Sequence, residues 1–491
     1  MSRSSVKTPS SGVPAQHTVE PLREGSHGLA LDGERFHLIG IGGMGMSALA
    51  LVLARSGAVI RGSDQTSGAS TALLEARGVQ VCLGHSAENL QPGFDRVVVS
   101  AAINGDNPEL LHAQRRGCKV YKYAQMLGEL FNRCRGIAIS GTHGKSTTSA
   151  WLTYVLQQAG VDVDFVIGAS TDQLVRPAGS GPPDYFSAEA CEYDRSFLNL
   201  RPHIACILNI EPDHLDYYRD EAEIVSAFAE FAAGIEEGGV LVAHGQDANV
   251  MQVITQLHPR PRNVTIGLDP SCDVFADHIV DERGLHRFDV YRSGQRVGST
   301  RIGLPGQHNI FNSLAVYAMA TEMGLDSEVV LSKLSTFTGI DRRLMFKGRF
   351  DDITVIDDYA HHPTEIRASL EAITQRYTPK RIWSVFQPHQ YSRTRFLLDA
   401  FAESFKLSHV IIVPEIFGVR DSPESRQAVS AQDLVQRLKA CGSEAIFLDG
   451  RSAICDYLKR HVTAGDLVVT MGAGDVWKVA DEYIQRLKLD S

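Results

Sequence analysis

The stretch "IAISGTHGKSTTSAWLTYVL", residues 137–156, decides the fold. "IAISG" has the apolar density of a buried strand, "THGKS" is a glycine-bearing turn, and the run that follows has helical spacing. The segment therefore reads as strand, loop and helix. Gly141, Gly144, Lys145 and Ser146 fill the roles of a phosphate loop, although the spacing is G-x-x-G-K-S and not the longer G-x-x-x-x-G-K-[ST]. Backbone N–H groups from Gly141 through Thr142, His143 and Gly144 to Thr147 would cradle the phosphates of ATP. Lys145 would lie against the terminal phosphates, and Ser146 would offer its hydroxyl to Mg²⁺.

A second strand, loop and helix lies about a hundred residues earlier, in "RFHLIGIGGMGMSALALVLARSG", residues 35–57. Gly40, Gly42 and Gly45 satisfy G-x-G-x-x-G, and Asp64 ends the next strand. Taken alone, this is a dinucleotide fingerprint and favours an NAD-dependent dehydrogenase. The same geometry holds any pyrophosphate, including that of a UDP-sugar, and a tight turn without a ligand is the plainer alternative.

Outward from these two units, apolar runs of strand length alternate with helical patterns in three successive series. Such alternation implies βαβ units on parallel sheets. The expected organisation is α/β in three domains: a disordered tail over 1–34, a Rossmann-like domain over 35–134, a central parallel-sheet domain of the phosphate-loop type over 135–339, and a Rossmann-like domain over 340–491.

Composition limits the function. A chain of 491 residues with 43% apolar and 22% charged residues has the balance of a soluble multidomain protein. A formal charge of −10 disfavours a chain built to neutralise nucleic acid or anionic lipid. Eight cysteines without C-x-x-C or zinc-type spacing point to reduced thiols in the cytoplasm. No apolar stretch is long enough to span a bilayer.

Candidate metal ligands sit near predicted strand ends. Glu189 closes "YFSAEA", and Asp213, His214 and Asp216 follow "IACILNI" in "NIEPDHLDYY". Carboxyl ends of parallel strands face the ligand crevice, so Glu189 and His214 join Ser146 as the expected Mg²⁺ set, His214 being the less usual ligand for a hard cation.

The motifs "HLIGIGGMGMSALA", "GTHGKSTT", "EACEYDRSFL", "NIEPDHLDYY", "LPGQHNIFNSLAVYAMA", "DDYAHHPTEIRASL", "VFQPHQYSRTRF" and "TMGAGDVWKVA" occur in one order from about Phe36 to the C-terminus. In these the chain resembles the Mur ligase family. The wording is nearest to the branch that joins L-alanine to the lactyl carboxylate of UDP-N-acetylmuramate. The resemblance implies an ATP- and Mg²⁺-dependent ligase acting through an acyl phosphate, a monomer or weak homodimer. It turns Gly42, Gly43, Met44, Gly45 and Asp64 into a UDP-sugar cradle, with His389 and Arg393 as further contacts to that substrate. Asn309 and Asn312 fall on the adenine side of ATP, with His308 beside them, and Asp358 falls at its ribose. Lys145 and Arg342 or Arg343 reach the transferring phosphate, and His361 lies near the incoming amine as a candidate base. Gln390 stands where many relatives have Arg, and "EACEYDRS" departs from the commoner "EADESDAS", which leaves Glu192 without an assigned role. A ligase that recycles a preformed peptide onto the same nucleotide sugar is the nearest enzyme alternative; a non-catalytic nucleotide sensor is another.

Overall fold

The computed structural model describes residues 31–175, 185–214, 217–419 and 421–490. Among them are three sheets, each flanked by helices.

The first sheet has five parallel strands in the order Gln80–Leu83, Val59–Asp64, Arg35–Ile39, Arg96–Val99, Lys119–Lys122. The central strand Arg35–Ile39 is buried from Phe36 onward, as its apolar run requires. The glycine turn at its end leads into the helix Met44–Arg55. The expected disordered segment, 1–34, lies outside the described residues as far as residue 30. Its last residues, however, are folded: Leu31 is buried and donates its N–H to the Ser56 carbonyl, and Glu34 pairs with Arg96. Leu31 ends the apolar triplet "LAL", residues 29–31, which is too short to show a period, so periodicity carried no sign of this docking.

The second sheet has nine strands, and it corrects the expectation of a purely parallel one. Seven run parallel in the order Val163–Val166, Tyr185–Glu189, Arg135–Ser140, Ile204–Ile207, Val240–His244, Arg262–Gly267, Val274–Glu282. Leu285–Arg292 and Gln295–Arg301 then extend the sheet as an antiparallel meander. These last strands carry many charged residues and short turns, which helical and parallel-strand patterns do not capture. Arg135–Ser140 lies between Tyr185–Glu189 and Ile204–Ile207. The carboxyl ends of these three neighbours therefore bring the phosphate loop, Glu189 and the segment after Ile207 to one edge.

The third sheet runs Met345–Phe350, Ile353–Asp358, Leu467–Met471, Ile382–Phe386, Val410–Val413, Glu444–Phe447, with only the first strand antiparallel.

The junctions between domains differ in chemistry. The first and second share one apolar core, in which Phe131, at the end of the helix Tyr123–Phe131, meets Phe186 edge to face at 5.8 Å. The second and third meet through polar groups. Asp341 donates its N–H to the Ser170 carbonyl at 2.8 Å, and the Ser170 hydroxyl donates back to its carboxylate at 2.6 Å. No helix among the described residues is long and apolar enough to cross a membrane.

The helix Lys145–Gln158, which begins at the phosphate loop, is anchored by Trp151. That indole is fully buried and stacks on Phe337 at 5.3 Å. Trp151→Ala should therefore destabilise the protein by about 3–5 kcal/mol through the cavity it leaves. An unchanged urea midpoint would contradict this packing account.

Candidate functional site

The phosphate loop is shaped by glycine where no other residue fits. Gly144 caps the helix with φ of 84°, and a Cβ there would lie 2.8 Å from Asn312 Oδ1. The loop is strapped to the segment after Ile207: Thr142 N–H donates to the Asn209 carbonyl at 3.0 Å, and His143 N–H to Asn209 Oδ1 at 2.8 Å. Glu211 N–H donates to Thr142 Oγ1 at 2.8 Å. Lys145 Nζ lies 2.9 Å from Glu192 Oε2 and donates to the Thr142 carbonyl at 3.1 Å. Burial works against its charge, but Glu192 outweighs it and the ammonium is held above its ordinary pKa.

A cavity of about 280 Å³ opens beside the loop. His143, Gly144 and Thr147 line one side, Asn309, Asn312 and His308 a second, and Arg343, Asp358 and Glu365 of the third domain close it. Of the nucleotide residues expected from sequence, His143, Gly144, Thr147, Asn309, Asn312 and Asp358 line this cavity, whereas Gly141, Thr142, Lys145 and Ser146 lie outside its lining. Burial raises the Asp358 carboxyl to about 6, against Arg343, the Ser369 hydroxyl at 2.7 Å and the Ala360 N–H at 2.8 Å. His308 is lowered to about 4 by burial and by Arg343.

The two arginines have separate tasks. Arg342 does not face the cavity: it donates to Asp357 at 3.1 Å and to the Gly472 carbonyl at 2.7 Å, and lies over Tyr359. Arg343 lines the cavity and pairs with Glu365 at 3.0 Å. The pair lies in a turn, Arg342 with φ of 59°, and both guanidiniums approach the Tyr359 ring, so sequence could not separate their contacts.

His361, the candidate base, is engaged by groups of its own domain. Its Nδ1 lies 3.0 Å from the Tyr359 carbonyl and 3.2 Å from Glu365, and burial lowers it to about 3 although Glu365 opposes this. A neutral imidazole of such low basicity is poorly matched to accepting a proton near pH 7.

Four acids at this edge carry the geometry, and sequence reading gave three of them no part. Glu192 is buried against Lys145 and lies 3.8 Å from His214. Glu211 and Glu365 grip His143 from either side, at 3.3 Å and 3.5 Å. Burial opposes the charge on His143, but these two carboxylates raise it to about 9. Glu211 is lowered to about 2 by His143 and Thr364 despite burial, and Glu365 well below its usual range, chiefly by Arg343 against burial. Their position within quoted motifs at strand ends was the available signal. The fourth, Asp213, accepts Arg393 Nη2 at Oδ1, 2.9 Å, and at Oδ2, 3.3 Å, and Nε at Oδ1, 3.2 Å, which joins the second and third domains. In this structure Arg393 serves that contact, beside a 460 Å³ cleft lined by His214 and Arg395. His389 stacks on Phe417 at 5.7 Å and sits 6.2 Å from His361.

The expected metal residues are only partly collected. Glu189 accepts the Gly168 N–H at 2.8 Å and is held above its usual pKa by burial, against that bond and one from Ser146. A half-buried carboxylate next to a hydroxyl suits a hard cation. His214 packs on Tyr193 at 4.9 Å and approaches Glu192 and Asp213, each at 3.8 Å. Asp216 lies outside the described residues.

In the first domain, a 540 Å³ cleft is lined by Gly40, Gly43, Asp64 and His85. Asp64 accepts the Gly42 N–H at 2.8 Å, and a Cβ at Gly42 would strike that carboxylate. Gly45 lies under the Tyr123 hydroxyl, and Met44 is exposed at the helix start.

Comparison with known proteins gives a consistent result along the chain. Residues 35–135 match the description "Mur ligase family, catalytic domain", 139–320 the "Mur ligase middle domain", and 342–474 "Mur ligase, glutamate ligase domain". The chain is 39% identical over 461 residues to a UDP-N-acetylmuramate–L-alanine ligase of Acetivibrio thermocellus, covering 93% of this chain and 97% of that protein. Among solved structures, a UDP-N-acetylmuramate-alanine ligase from Thermotoga maritima is similar with TM-score 0.79 and 26% identity, over 93% of this chain and 100% of that one. A murein peptide ligase from Psychrobacter arcticus is similar with TM-score 0.71 and 25% identity, over 93% and 99%.

The His143 clamp has a pH signature. Because the folded pKa lies above the ordinary value near 6.5, its stabilisation is complete below pH 6.5 and is lost as pH rises through about 9. NMR of the imidazole should show a midpoint near 9; a midpoint near 6.5 would mean that the two carboxylates do not hold it.

Proposed function

The chain belongs to the Mur ligase family, and from that premise we propose how its site works. It is an ATP-dependent ligase that joins L-alanine to UDP-N-acetylmuramate in peptidoglycan precursor synthesis. The observation that carries the reading is the cavity in which the phosphate loop of the second domain faces Arg343 and Asp358 of the third. The dehydrogenase reading of the first glycine turn falls away with the family, and that turn is a cradle for the substrate's pyrophosphate.

A carboxylate is a poor electrophile, because its charge repels an amine and its leaving group would be oxide. Activation solves this: a lactyl oxygen attacks the γ-phosphorus of ATP, the bond to the ADP oxygen breaks, and an acyl phosphate forms. Lys145 and Arg343 stabilise the charge on the transferring group, Lys145 turning from Glu192 to do so. Arg342 holds the third domain's loop in shape behind Arg343. Asn309 and Asn312 orient the adenine side, and Asp358 the ribose. Ser146 and Glu189, with His214 as the weaker partner, would hold Mg²⁺, which supplies charge neutralisation between the phosphates. The amine of L-alanine then attacks the acyl carbon, and the adduct collapses to amide and phosphate with loss of a proton from nitrogen. His361, neutral and tied to Tyr359, orients the amine without acting as its base. Closure of the third domain over the loop keeps water from the acyl phosphate.

Phosphate release measured with Mg-ATP should require UDP-N-acetylmuramate and L-alanine together; release driven by a preformed peptide and not by alanine would favour the recycling activity. Lys145→Ala should abolish turnover while sparing nucleotide-sugar binding by calorimetry. Arg343→Ala should lower kcat by about 10²-fold or more, whereas Arg342→Ala should mainly lower the melting temperature. Equal kcat losses without destabilisation would overturn the division between them.

A further inference from the structure

Three side chains at the seam form a group that the ligase chemistry does not use together: His143 of the phosphate loop, Glu211 of the strap, and His362 at the start of the helix Pro363–Tyr377. One donor atom from each lies within 4.8 Å of the others. We propose that this cluster binds a divalent transition cation of the zinc class, joining the phosphate loop to the third domain.

The spacing suits such an ion. His143 Nε2 is 3.3 Å and His362 Nδ1 3.8 Å from Glu211 Oε2. Metal–ligand bonds of about 2.0–2.1 Å in a tetrahedron place donor atoms about 3.3 Å apart, a spacing that the two pairs to Glu211 already approach. The outer contact is also in place: His143 Nδ1 lies 3.5 Å from Glu365 Oε1, the carboxylate backing that fixes a ligating imidazole. His362 is 5% exposed, and its Nε2 is buried without a hydrogen-bond partner among the described residues. The helix-capping bond from Thr364 N–H to His362 Nδ1, at 3.3 Å, is long and can be exchanged for the metal.

Protonation states agree with this arrangement. Burial and neighbouring His143 keep His362 below its ordinary pKa, hence neutral, and Glu211 is ionised. Only His143 must lose a proton, from Nε2 to solvent. Binding therefore releases one proton and tightens as pH rises. His143 and Glu211 also line the cavity, so the fourth position is open to water or a phosphate oxygen. Two imidazoles are a poor match for Mg²⁺, which separates this site from the oxygen ligands of Ser146 and Glu189.

Cobalt(II) is the probe, added to the full-length protein without substrates, so the outcome is independent of ligase activity. One equivalent should give the intense visible absorption of tetrahedral Co²⁺, displaced by Zn²⁺. His362→Asn keeps a helix-capping side chain but removes the imidazole; it should abolish the band and weaken Co²⁺ binding by about tenfold or more. Glu189→Gln should leave the band intact. Absence of the band in the unaltered protein, its survival in His362→Asn, or its loss in a folded Glu189→Gln protein would each overturn the proposal. If His362→Asn fails to fold by circular dichroism, Glu211→Gln decides by the same reading: loss of the band supports the site and retention refutes it.

Discussion

The site depends on charge balance where three strand ends and a second domain meet. Lys145, His143, Arg343 and Arg393 are each gripped by a carboxylate: Glu192, Glu211 with Glu365, Glu365 again, and Asp213. Such groups are costly to desolvate singly, and removing one partner leaves the other buried and unpaired. The pairs thus constrain each other, and the phosphate loop keeps its shape because Glu211 and Asn209 strap it from one side while Glu365 meets it from the other. The edge thus presents cations already in place.

The two domain junctions behave differently for a physical reason. Between the first and second domains, Phe131, Phe186, Phe197 and Leu200 belong to one core. Separating them would expose apolar area at about 25 cal/mol per Å². Between the second and third, the contacts are ion pairs and hydrogen bonds such as Arg393 with Asp213 and Thr364 with Glu211. Water can replace these at little net cost. The polar junction is therefore the one that parts at the lower cost, and the cavity lined by His143, Asn312, Arg343 and Asp358 lies at it.

Much of the architecture was legible because it rests on local pattern. Both glycine turns read correctly as strand, loop and helix, since a buried strand, a positive-φ glycine and a helix start are each written within a few residues. The antiparallel strands Leu285–Arg292 and Gln295–Arg301 were missed because they are charged and half exposed. The docking of Leu31 was missed because an apolar triplet, "LAL" at 29–31, makes no period. Within the site, the motifs pointed to Asn312 and Asp358, which line one cavity, whereas Arg342 and Arg343 were indistinguishable and Glu365 had no assigned part.

The sequence by itself determined which segments carry chemistry: turns, caps and apolar periodicity are short-range properties, and family motifs extend them along most of the chain. Tertiary structure alone decided which charges meet. Glu365 reaches His143 across more than two hundred residues, and Arg393 reaches Asp213 across a comparable span. Whether an arginine grips a neighbouring carbonyl or faces a cavity, and whether a histidine is held above or below its ordinary pKa, follows from burial and the partner opposite, and neither is encoded in adjacent residues.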